Sequence, residues 1–95
     1  MNKYEIMFIV KPDLEEAEIK KIADSMKKVL TDNKAKVLEE KAMGQKEIAY
    51  EMNKYKTGYY FLLVVEADSL AIEEFNRVVG MNENLLRHLV VRVED

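Results

Sequence analysis

The side chains able to do chemistry are few in this chain, and they do not gather. Histidine occurs once, at His88, between Arg87 and Leu89. A single imidazole works as an acid or base only beside a group that sets its proton, and no such partner stands near it in sequence. Ser25, Ser69, Thr31 and Thr57 supply the hydroxyls. Ser25 falls inside a helical pattern and the other three at element ends, so no nucleophile is paired with a base. Cysteine is absent, which excludes disulfides and thiolate metal sites. The acid groups Glu15, Glu16 and Glu18, and likewise Glu39 and Glu40, read as solvated charge rather than as a metal site. Gly44, Gly58 and Gly80 are too scattered to form a phosphate loop. After the first strand, where an acylphosphatase-like enzyme would carry its anion loop, the chain has Val10-Lys11-Pro12-Asp13. The expectation is a protein that is not an enzyme and uses no metal, cofactor or small-molecule substrate.

Binding chemistry is better represented. Lys3, Arg87, His88 and Arg92 are basic and sit at the two ends of the chain. If the first and last strands are neighbours, these residues could share one edge and grip phosphates, each contact steepening the salt dependence by a slope of about 0.7–0.9. The same residues also serve simply to solubilise a sheet edge. Lys56-Thr57-Gly58-Tyr59-Tyr60-Phe61-Leu62 loosely echoes the third-strand signature of RNA-recognition motifs, with one residue too many between the basic residue and the glycine. Tyr4 and Phe8 would supply the matching first-strand aromatics; aromatics of central strands also serve as core. Gly44-Gln45-Lys46-Glu47-Ile48-Ala49-Tyr50 combines a glycine break, a charge cluster and a return to apolar alternation.

These residues must be positioned by a short succession of elements. Lys3 to Val10 reads as a strand apolar on both faces, hence a central one. Asp13 is placed to cap a following helix, with Glu16 three residues on as in a capping box. That helix runs to about Thr31 on the stripe Ile19, Ile22, Ala23, Met26, Val29 and Leu30, and Asp32-Asn33-Lys34 forms its exit. From Ala35 to Asn53 the chain alternates, placing Leu38, Glu40, Ala42, Gly44, Lys46, Ile48, Tyr50 and Met52 on one face. Gly44 marks a bulge or bend, and charges on both faces mark an edge strand guarded against self-pairing. Asn53 to Gly58 reads as a turn, and Tyr59 to Ala67 as an apolar strand. Asp68-Ser69 opens a second helix with its stripe on Ile72, Phe75, Val78 and Val79, stopping at Gly80. Leu85 to Val93 is the last strand. The order βαββαβ predicts an α+β, ferredoxin-like sandwich: a four-stranded antiparallel sheet with two helices on one face. The second sheet face then presents apolar residues, either to a partner or beneath the stems of neighbouring Lys and Glu side chains.

Composition bounds the rest. Ninety-five residues, 48% hydrophobic and 35% charged, suit one globular domain spanning 1–95. The net charge of −3 argues mildly against a nucleic-acid binder. Ile6 to Val10 is too short for a signal-peptide core, and Tyr59 to Val65 too short for a membrane span. A soluble cytoplasmic protein is expected.

Over nearly its whole length the chain resembles the bacterial ribosomal small-subunit protein six family. Its second-strand motif is glycine, any residue, a basic residue, a polar residue, then leucine-alanine-tyrosine, any residue, isoleucine. Gly44, Lys46, Ala49 and Tyr50 match it, with Ile48 and Met52 in place of the leucine and isoleucine. Tyr4-Glu5-Ile6, Lys11-Pro12-Asp13, Gly58-Tyr59-Tyr60, Val65-Glu66 and Leu86-Arg87-His88 add to the likeness. The resemblance implies a structural constituent of the small ribosomal subunit, in the cytoplasm. It would bind the central domain of small-subunit (16S) rRNA together with the eighteenth small-subunit ribosomal protein, and be a monomer when isolated. It also implies that Lys46, Ile48, Tyr50 and Tyr60 lie toward the protein partner, and that Lys3, Arg87, His88 and Arg92 lie toward rRNA. The competing expectation is a small-molecule-binding regulatory domain of the same topology, dimeric through its sheet.

Overall fold

The computed structural model describes residues 2–52 and 55–93, and for residues 49–52 the backbone alone. Its elements are β1 (Asn2–Val10), α1 (Glu16–Asp32), β2 (Lys36–Met52), β3 (Tyr55–Ala67), α2 (Ser69–Gly80) and β4 (Leu85–Val93). The strands form one antiparallel sheet in the order β2-β3-β1-β4. This is the expected ferredoxin-like βαββαβ sandwich, with β1 and β3 central and β2 at an edge.

Alternation along the central strands decides the core. Ile6, Phe8 and Val10 of β1 and Phe61, Leu63 and Val65 of β3 point to the helix side and are buried. There they meet Ile19, Ala23, Met26 and Leu30 of α1 and Ala71, Ile72, Phe75 and Val79 of α2. Phe8 and Phe61 are directly paired across the strands and stack with centroids 5.2 Å apart. Burying side chains of this size contributes about 1.5–3 kcal/mol each.

Helix ends follow local chemistry, with one departure. Asp68 caps α2 by accepting a hydrogen bond from the Ala71 N–H at 2.9 Å. Asp13 does not cap α1: Glu15 holds the N-cap position and makes no side-chain cap bond, while the Asp13 carboxylate accepts the Tyr55 hydroxyl at 2.8 Å. The helix starts two residues later than the local pattern assigned, which leaves Asp13 outside the cap position and open to a long-range partner. At the other end of α1 the Ala35 N–H reaches Leu30 O and the Lys34 N–H reaches Thr31 O, with Lys34 at φ 68°. This is a Schellman closure with lysine in the left-handed position that glycine usually fills.

Strand β2 is less regular than its alternation predicts. Its register against β3 shifts between Val37 and Glu39, between Ala42 and Gly44, and again between Glu47 and Met52. Each of the first two shifts inserts one residue, Leu38 and Met43, and an extra residue reverses which parity faces the helices. Glu40 and Ala42 therefore lie on the helix side, but Gly44, Lys46 and Ile48 lie on the other. Gly44, at φ 80°, supplies the backbone conformation that such a bulge favours. The segment read as a turn is also corrected: β3 begins at Tyr55, and Thr57 and Gly58 pair with Glu47 and Lys46.

Candidate docking and nucleic-acid interface

The face of the sheet away from the helices is built from the other parity of each strand. Register places Lys36, Glu66, Lys3 and Val93 in one cross-sheet row, then Glu39, Val64, Glu5 and Val91. Lys41, Leu62, Met7 and Leu89 follow, then Gly44, Tyr60, Ile9 and Arg87. Met7, Ile9, Leu62 and Val64 form an apolar centre, which Leu89 and Val91 extend to the β4 edge. Each of these last two is 46% exposed, because no helix covers this side. Ile9 is nonetheless only 4% exposed. Gly58 beside it has no side chain, and Ile48 closes over the same spot, so Ile9 sinks between them.

Charge is distributed unevenly around this centre. Glu5, Glu39 and Glu66 stand toward the Lys3 end, and Lys41 is drawn to Glu39 at 3.4 Å. Arg87 and Lys46 stand toward the other end and make no ion pair among the described residues. On the helix side Lys27 bridges Asp24 at 3.1 Å and Glu40 at 2.7 Å, tying α1 to β2. These bonds, those to Glu40 first, hold the Lys27 ammonium above its usual range. Behind them lies a groove of about 430 Å³ floored by Ala23, Ala42, Tyr59 and Phe61.

The sequence-predicted residues fall into place unequally. Lys46, Ile48 and Tyr60 come together on the open face around Gly58, and the Tyr60 hydroxyl donates to the Glu47 carbonyl at 3.4 Å. Gly44 supplies the bulge in front of them, whereas the side chains of Ala49 and Tyr50 lie outside the described residues. The four basic residues do not share one surface. Lys3 and Arg87 lie on the open face but pair with Val93 and Ile9, six residues apart along the strands, which is about 20 Å. His88 and Arg92 point to the helix side. The His88 ring is in contact with Asn76 Oδ1 at 3.2 Å and meets Phe75 edge-on at 6.4 Å, and Arg92 donates to Asn2 Oδ1 at 3.0 Å. Neighbouring residues on one strand must face opposite ways, and that separates Arg87 from His88.

Alternation likewise decides the central-strand aromatics for core rather than base stacking. Tyr4, Phe8, Tyr59 and Phe61 face the helices and pack in or against the core, leaving Tyr60 as the one aromatic on the open face among the described residues. Met7, Leu62, Val64, Leu89 and Val91 were not singled out from sequence as binding residues. Their signal is the apolar run on the second parity of β1 and β3. Among the described residues no three His, Asp or Glu converge on a metal-sized site, and no helix is long and apolar enough to cross a membrane.

Residues 3–92 match the family model described as ribosomal protein S6. The chain belongs to the ribosomal protein S6 family. A small ribosomal subunit protein bS6 of Shouchella clausii is 49% identical over 94 residues, covering 99% of each chain. One of Halalkalibacterium halodurans is 46% identical over the full length of both, and one of Phytoplasma australiense is 39% identical, covering 97% of this chain and 99% of its own. The crystal structure of 30S ribosomal protein S6 from Thermotoga maritima superposes with a TM-score of 0.93 at 26% identity, covering 97% of this chain and 87% of that one. Membership of the S6 family makes the chain a non-enzymatic constituent of the small ribosomal subunit, associated with its rRNA.

Proposed function

We propose that this chain docks a second small-subunit protein, the eighteenth, on the open face of its sheet, and that the pair binds the central domain of small-subunit rRNA. The observation that carries the reading is the uncovered apolar face, running from Ile48 through Leu62 to Leu89 and Val91. A monomer gains nothing by leaving so continuous a patch in water. A net charge of −3 suits a basic partner, and such a partner would bring the positive charge that rRNA requires. Lys46, Ile48 and Tyr60 are the protein-facing residues, joined by Tyr50 on the strength of the family motif.

The rRNA contacts are assigned to Lys3, Arg87 and Arg92. With Arg87 and Arg92 on opposite sides of β4, the phosphate backbone would follow the edge of that strand rather than either face. His88, its ring already in contact with Asn76, enters as a brace for that edge. The isolated chain is a monomer in this reading, because its own guarded edge β2 discourages self-pairing.

The test is capture from a mixture of small-subunit proteins, with and without the central rRNA domain. Capture of the eighteenth protein, strengthened by rRNA, is expected. A stable homodimer that ignores both would favour the dimeric regulatory alternative and sink this reading.

A further inference from the structure

Beyond Val10 the sheet narrows to two strands. The last pair between β1 and β3 is Val10 with Tyr59, whereas β2 and β3 stay paired at Lys46–Gly58, Glu47–Thr57 and Met52–Tyr55. The hairpin therefore projects past the body as a ribbon. A two-stranded ribbon is marginally stable in water, so its position depends on what ties it down. Gln45 Nε2 to Thr57 Oγ1 at 3.0 Å and Tyr60 to the Glu47 carbonyl stay within the hairpin. Past Gly58, one side-chain hydrogen bond among the described residues joins the ribbon to the rest of the molecule. It is the Tyr55 hydroxyl donating to the Asp13 carboxylate at 2.8 Å, across 42 positions.

We propose that this ribbon is the outer half of the docking surface, and that Tyr55 and Asp13 are positioning residues that hold Lys46 and Ile48 in one orientation for the protein partner. The inference rests on the docking reading above. Lys46 and Ile48 lie on the ribbon's open side, and Ile48 Cδ1 is 3.5 Å from where a Gly58 Cβ would stand. Their face is thus continuous with Ile9 and Tyr60. A ribbon free to swing would have to be ordered at the moment of association, and that cost comes out of the affinity; a preset ribbon avoids it. Asp13 stands two residues before the Glu15 N-cap and makes no cap bond to α1, so its carboxylate is free for this use. The bond to Asp13 also holds the Tyr55 phenol above its ordinary range.

Tyr55→Phe, Asp13→Ala and Asp13→Asn in the full chain test this. Amide exchange of Lys46, Glu47, Lys56 and Thr57 would be measured alongside affinity for the eighteenth small-subunit protein in the presence of the central rRNA domain. For Tyr55→Phe and Asp13→Ala, faster ribbon exchange is expected with the overall fold retained. Association should weaken about 3- to 10-fold, the worth of one ordinary hydrogen bond. Asp13→Asn keeps an oxygen that accepts the hydroxyl and should stay within about twofold of the parent. Unchanged exchange in Tyr55→Phe overturns the latch. Faster exchange with unchanged affinity overturns the ribbon's part in docking while leaving the open face in place. If Ile48→Glu also leaves affinity unchanged, the docking reading falls with it.

Discussion

At Gly58 a Cβ would stand 2.5 Å from Cγ2 of Ile9 and 3.2 Å from the Val10 carbonyl oxygen. Neither neighbour yields easily, since Cγ2 sits on a stiff β-branched side chain and the carbonyl belongs to the sheet. Gly58→Ala is therefore expected to destabilise by about 1–3 kcal/mol in chemical denaturation and to lift Ile9 out of its recess. Lys34 is the opposite case, a side chain where none is wanted: its φ of 68° favours glycine. Lys34→Gly should stabilise by up to about 1 kcal/mol, again read from the denaturation midpoint. For Tyr55 the sign follows from the proton. Its folded phenol is raised by the hydrogen bond to Asp13, so the stabilisation is complete below the unfolded value, near 10, and fades as pH rises through the folded one. A spectrophotometric titration should show Tyr55 ionising late, and in Asp13→Ala, which removes the acceptor, it should return toward the ordinary range. Sequence made the types of these residues visible but not their neighbours. His88 looked partnerless because Asn76 and Phe75 reach it from α2, through space rather than along the chain.

Element type and order were legible because β1, β3 and both helices keep one period throughout. Strand β2 was not, because Leu38 and Met43 each interrupt an alternation that a bulge-free reading must assume. The charges read there as guards do sit on an edge strand, and they argue a prediction at this scale. Exchanging Glu39, Glu40, Lys41 and Lys46 for apolar residues should promote self-association, seen as a concentration-dependent rise in sedimentation coefficient. Such a variant remaining monomeric at high concentration would show that the bulges alone suffice. Asp13 marks the same lesson for α1: a capping pattern states what a residue can do locally, and a tyrosine 42 positions away decides what it does.

For the whole molecule the division of labour between the two sheet faces is what matters. One is consumed by the helices; the other is left uncovered, and its apolar half was already implicit in the second parity of β1 and β3. The basic edge was less legible, since alternation sends Arg87 and His88 to opposite sides. Arg87 is exposed and forms no ion pair among the described residues. Arg87→Ala should weaken binding to rRNA plus partner and flatten the salt dependence by about 0.7–0.9 in slope, one phosphate's share. A salt titration with an unchanged slope would remove Arg87 from the interface.

The two bulges in β2 have one more consequence. They cut its paired length against β3 into Lys36–Val37, Glu39–Ala42 and Gly44–Glu47, each shorter than the six or seven residues that a steric zipper needs. On the other edge, β4 pairs without interruption from Arg87 to Val93 and carries no acid. If this protein forms amyloid, the seed is expected in β4.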